Sequence, residues 1–152
     1  MQNLKIDPFN IIGISVRTTN ENGQAGIDIP KLWETFMSED SIAKIPNKVD
    51  ETMYSLYTDY EKDHTKPYTA IIGCKVKSLD TIPENMIGKS FEGGNYHKST
   101  TRGDLMKGVI VNHWNKIFEM NLDRTFIADF EVFGEKASNL SDAEVDFYVS
   151  VK

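Results

Sequence analysis

One residue of the 152 is cysteine, Cys74, so no disulfide within the chain is possible. Basic residues are also in short supply. The 17 Lys and Arg stand against 23 Asp and Glu, a formal net charge of −6. Binding by phosphate neutralisation needs a basic patch, so the balance argues against direct nucleic-acid contact. There is no run of 18 apolar residues, and the first eight residues contain no apolar signal core. The expectation is a soluble, cytoplasmic protein without membrane contact. Low-complexity segments and long linkers are missing. So are a nucleophile elbow, a P-loop and a dinucleotide fingerprint. His64, His97 and His113 lie far apart without metal-ligand spacing, so neither a metal nor a cofactor is expected.

What is present reads as strands and two helices. Ile12, Ile14 and Val16 alternate within residues 9–19, the pattern of a strand with one buried face. A helix follows, with Asp28 as its expected cap and Pro30 in its first turn. Ile29, Leu32, Trp33 and Phe36 form its apolar stripe. Residues 52–60 read as a second strand and 61–67 as a polar turn. Tyr68, Ala70, Ile72, Cys74 and Val76 then alternate through a third strand, which predicts a buried, inert thiol at Cys74.

The same order then recurs. Residues 89–101 read as a strand broken at Gly93-Gly94, a bulge or tight bend. Thr101-Arg102-Gly103-Asp104 resembles a capping box. Met106, Ile110, Trp114 and Ile117 give a second helical stripe, with Gly108 inside it read as a close-packing position. His113 on that helix reads as a core histidine with its hydrogen bonds satisfied. Residues 125–134 and 144–152 supply two more strands. Laying residue 52 on residue 125 aligns the second strands without gaps and puts Tyr54 on Ile127. The expected fold class is α+β: two βαββ modules, about 6–78 and 86–152, related by a pseudo-twofold axis within a single domain of residues 1–152. Each module has antiparallel strands and one long helix, and a cleft between the modules would suit a small ligand.

Glu131 stands in an apolar strand between Phe130 and Val132. It is either on a wet strand face or the lone charge in an apolar cleft, where it would select a cation. Several segments bear on the choice. They are Ile29-Pro30-Lys31-Leu32-Trp33-Glu34-Thr35-Phe36, residues 68–76, Gly94-Asn95-Tyr96, His113-Trp114, Asp129-Phe130-Glu131-Val132-Phe133 and residues 144–152. As an ordered set they resemble the GyrI-like small-molecule-binding family, the effector-binding domain of AraC-type and MerR-type regulators, over nearly the whole chain. The chain starts directly at a strand and so resembles the members that occur without a helix-turn-helix domain.

The resemblance implies an aromatic-lined pocket for lipophilic cations, met by a glutamate at the place of Glu131. Phe133 stands where tyrosine is usual, which removes a hydroxyl. Strand alternation puts Ile127, Asp129, Glu131 and Phe133 on one side, so Asp129 is a candidate second charge. The candidate walls are Trp33, Tyr54, Tyr96, Trp114 and Phe133, with cation–π attraction of roughly 0.5–2 kcal/mol each. The leading expectation is a non-catalytic sensor or sequestering protein for such molecules. The alternatives are a hydrolase of electrophilic small molecules using Asp129 and Glu131, and a protein-interaction module, since one family relative is named for binding DNA gyrase.

Overall fold

The computed structural model describes residues 2–152. Its strands are β1 (Gln2–Ile6), β2 (Phe9–Thr18), β3 (Met53–Thr58), β4 (Tyr68–Val76), β5 (Ile87–Phe91), β6 (Gly94–Gly103), β7 (Ala128–Phe133) and β8 (Ala143–Ser150). Three α-helices, α1 (Ala25–Ser38), α2 (Ser41–Lys44) and α3 (Val109–Glu119), and three short 3-10 turns complete the regular elements of the described residues. The strands form one antiparallel sheet in the order β1-β6-β8-β7-β3-β4-β2-β5. The fold is thus α+β, a half-barrel of antiparallel strands with helices on one face. The two small sheets expected of the modules are fused where β3 pairs with β7.

The strand order reads the same backwards under the exchange of β1 with β5, β2 with β6, β3 with β7 and β4 with β8. Matching bridges give the residue equivalence. Lys48 bridges Val76 as Arg124 bridges Val151. Val49 donates its N–H to the Lys75 carbonyl, as Thr125 does to that of Ser150. Tyr54 pairs with Gly73, as Phe130 does with Tyr148. Tyr54 is therefore equivalent to Phe130, not to Ile127, three residues from the alignment drawn on sequence alone. Slipping a strand by an odd number turns every side chain to the other face.

The modules also exchange their leading strands. β1 runs into β2 through Asp7 and Pro8 but pairs with β6 of the second half. β5 runs into β6 through Glu92 and Gly93 but pairs with β2 of the first. Two residues span less than about 10 Å. Each connection therefore draws the two ends of the strand order together, and the sheet curls. This is also the fate of the expected single strand over 89–101: it is two strands, broken at Gly93 (φ +79°). The inside of the curl is filled by Phe9, Ile11, Tyr54, Leu56, Tyr96 and Phe130, among others. The outer face carries the helices. Trp33 and Phe36 of α1 pack over Ile12, Ile72 and the buried Cys74, and Trp114 and Ile117 of α3 pack over Val145, Phe147 and Val149. Burial raises the Cys74 thiol to about 12, so it stays protonated.

Helix starts differ from expectation. α1 begins at Ala25, after a 3-10 turn over Glu21–Gly23, so Pro30 lies inside it. Asp28 sits in its first turn and accepts from Thr18 Oγ1 at 2.9 Å and Gln24 Nε2 at 3.0 Å, tying the helix to β2. Asp104 caps only a short 3-10 turn over Leu105–Lys107, accepting from the Met106 N–H at 2.8 Å. Gly108 then takes φ +77° as the residue before α3, with nothing within 4 Å of an added Cβ. It serves a change of direction and not close packing, and Met106 is left outside the helix and 82% exposed.

Candidate functional site

β3 and β7 meet at the seam between the modules, with α1 over one side and α3 over the other. Register sets what the outer face shows there. Ser55 lies opposite Glu131, Tyr57 opposite Asp129 and Met53 opposite Phe133. Ser55 and Glu131 are also equivalent under the internal symmetry, so the pseudo-twofold axis passes between them. Two acids there would face each other directly across paired strands, an unfavourable arrangement. One half has the acid and the other a small hydroxyl.

Glu131 is 1% exposed. One carboxylate oxygen, Oε2, accepts from the Tyr57 hydroxyl at 2.6 Å and from the Trp114 indole N–H at 2.6 Å. Ser55 donates to the Tyr57 oxygen at 2.9 Å. These bonds favour the carboxylate, but burial outweighs them and raises the Glu131 pKa from 4.5 to about 7. The carboxylate in turn holds Tyr57, already buried, well above the usual phenol range. Rings enclose the group. The Tyr57 centroid lies 5.8 Å from those of Tyr68 and Trp114, and Trp33 stands edge-on to Phe133 at 5.0 Å. Among the described residues no Lys, Arg or His makes an ion pair with Glu131.

Asp129 belongs to a different network. It is fully buried and accepts from the Tyr60 hydroxyl at 2.6 Å, Arg124 Nη2 at 2.7 Å and the Ser150 N–H at 2.9 Å. Arg124 also lies 4.3 Å over the Phe126 ring, and its Nη1 is 3.2 Å from His64 Nδ1. Asp129 thus already holds its cation, and its contacts tie the start of β7 to the end of β8.

The structure brings Glu131, Trp33, Trp114 and Phe133 together on the outer face of the seam. It places Tyr54 and Tyr96 inside the curl, packed on Phe130 with centroids 5.9 and 5.5 Å away. Tyr54 was expected on the cleft side through its alignment with Ile127, and the corrected equivalence explains the reversal. Ile127 precedes β7 and is 60% exposed. Tyr57, Ser55 and Tyr68 were not among the sequence candidates. Alternation within β3 separates Ser55 and Tyr57 from Tyr54, but only the β3–β7 register shows which set meets Glu131. His113 Nε2 and Ser99 Oγ are hydrogen-bonded at 2.8 Å, in keeping with a satisfied core histidine. Among the described residues no three His, Cys, Asp or Glu side chains gather as a metal site would require.

The model of the integron-associated effector binding protein family matches residues 4–151. The chain belongs to this family. Among its relatives is the Bacillus subtilis (strain 168) protein YobU, named as a transcriptional regulator. It is 26% identical over 151 residues, 97% of this chain and 94% of the relative. The integron cassette protein from the mobile metagenome of Vibrio cholerae has a similar crystal structure, with TM-score 0.76, 26% identity and coverage of 99% of this chain and 95% of that one. The structure of SAV2435 bound to tetraphenylphosphonium shares the fold at TM-score 0.76 and 17% identity, covering 99% of this chain and 93% of that one. Membership of an effector-binding family makes small-molecule binding the broad activity. No helix of the described residues is long and apolar enough to cross a membrane.

Proposed function

We propose that this member of the effector-binding family takes up lipophilic, aromatic cations in the seam between its modules, as a sensor or sequestering protein. Glu131 supplies the opposing charge. The observation that carries the reading is a carboxylate buried among rings at the symmetry axis, donated to by Tyr57 and Trp114 but paired with no cation. A buried charge is costly unless paired, and a lipophilic aromatic cation would both pair it and lie against the Trp114, Tyr57 and Phe133 rings. The tetraphenylphosphonium complex of a protein with the same fold supports the same class of ligand.

Two features shape the binding step. Glu131 is shut from solvent, so the cation enters by parting Trp114 from the carboxylate. With no cation bound, burial holds the acid at a pKa of about 7. A cation binds the ionised form, so uptake expels a proton, and affinity rises as pH rises through 7, by about tenfold between pH 6 and 8. Titration with tetraphenylphosphonium tests this, followed by Trp fluorescence and by calorimetry in two buffers of different ionisation enthalpy. Saturable binding with proton release, weakened at least tenfold in Glu131→Gln, is expected. Equal binding by the Gln variant, or equal binding of neutral triphenylphosphine oxide, would overturn the reading. The hydrolytic alternative has less support, because Asp129 is held by Arg124, Tyr60 and Ser150 and is not free to work beside Glu131.

A further inference from the structure

A groove of about 450 Å³ lies at the rim of the curl, where the β1–β2 turn meets the end of β4. β4 turns Lys75 toward the interior, opposite Ile11, and away from the outer face that carries Glu131. Lys5, Lys75 and Lys77 line the groove, with Asp7 as its one acidic residue. In a chain of net charge −6 this is a local reversal of sign.

Lys75 is the part that points to a ligand. Its Nζ lies 4.9 Å from the centroid of the Phe9 ring and 5.4 Å from that of Tyr54. The side chain is half-buried, yet among the described residues no carboxylate reaches ion-pair distance. Lys48, Lys89, Lys98, Lys136 and Lys152 have such a partner, and among the described residues the other lysines without one are exposed. Burial pulls the Lys75 ammonium below the usual lysine range, and the charge of Asp50 offsets this only in part. The internal symmetry sharpens the contrast. Lys75 is equivalent to Ser150, whose N–H is satisfied inside the protein by Asp129. The first half carries a lysine at the equivalent position.

We propose that this groove is a second ligand site, for a small organic anion: an aromatic carboxylate. Its carboxylate pairs with the Lys75 ammonium, its ring lies on Phe9, and Lys5 and Lys77 attract it at the mouth. The volume suits a molecule of one or two rings. The apolar floor and the single half-buried ammonium favour a ring carboxylate over phosphate, which is best held by several donors at once.

The test is a titration of the 15N-labelled protein with 2-naphthoate, with 2-naphthamide and inorganic phosphate as parallel arms. Saturable shifts of the Ile6, Asn10 and Lys77 amides are expected with naphthoate. Affinity should fall at least tenfold with the amide and in Lys75→Gln, and recover in Lys75→Arg. Glu131→Gln should bind naphthoate as the native chain does, which separates this site from the cation site. Four results would overturn the proposal: no saturable shift at millimolar naphthoate, equal binding of the amide, unchanged affinity in Lys75→Gln, or tighter binding of phosphate than of naphthoate.

Discussion

Ser55 and Glu131 face each other across the two central strands, at positions that the internal symmetry makes equivalent. The duplication therefore sets a single acid on its own axis. The second copy of that place holds a hydroxyl, which reaches the acid through Tyr57.

Glu131 makes stability depend on pH in a definite direction. Its folded pKa, about 7, lies above its ordinary value of 4.5. The folded state therefore keeps the proton longer than the unfolded chain. Its contribution is most favourable below pH 4.5, declines as pH rises from there, and levels off above 7. His64, His97 and His113 have lowered pKa values and act oppositely, losing stability as pH falls. The difference between native protein and Glu131→Gln isolates the acid. Urea unfolding at pH 4.5 and pH 8 is expected to show the Gln variant gaining on the native chain by ~3 kcal/mol between the two. A constant difference would refute this.

Trp114→Phe keeps a ring over Tyr57 and Phe147 but deletes the N–H that reaches Glu131. A hydrogen bond to a charged group is worth about 1.5–3 kcal/mol. A loss of that size in unfolding free energy, read from denaturant titration, is expected at pH 8, shrinking at pH 5, where the acid is protonated. A loss independent of pH would mean that only packing had changed.

Arg124→Met leaves Asp129 buried with hydroxyl and amide donors but no cation. Breaking a buried pair from one side costs about 3–5 kcal/mol. Asp129→Asn in the same chain should restore part of that loss, since the uncompensated charge is gone. Thermal unfolding of the two single variants and the double variant completes the cycle, and strict additivity would show that the pair is not coupled.

Gly13 and Gly73 face each other on β2 and β4. A Cβ on Gly13 would stand 2.1 Å from the Ile72 carbonyl oxygen, and one on Gly73 2.1 Å from that of Ile12. Both obstacles are backbone and cannot swing aside. Gly13→Ala is expected to cost more than about 2 kcal/mol, whereas Gly26→Ala, with open space around it, should be neutral or stabilising. Chemical denaturation of the two variants checks the contrast.

Much of this was legible in the chain. The alternation of β4 and β8, the aromatic stripes of α1 and α3, and the repeated order of elements all rest on local periodicity, which sequence carries directly. β1 was missed: five residues with little apolar content make a strand only because β6 offers an edge. Gly93-Gly94 marked a break, but nothing local says that the strands on either side go to opposite ends of the sheet.

By itself the sequence determined the α+β class, the duplication, and Glu131 as an acid among apolar neighbours, because each is written in residue type and spacing. Only the tertiary structure decided which residues meet that acid. A strand's two faces are told apart by its register against a neighbour, and register is a relation between distant segments. An alignment three residues out turned Tyr54 toward the seam. The β3–β7 pairing puts Tyr57 there instead, and the ion pair with Arg124 removes Asp129 from the site.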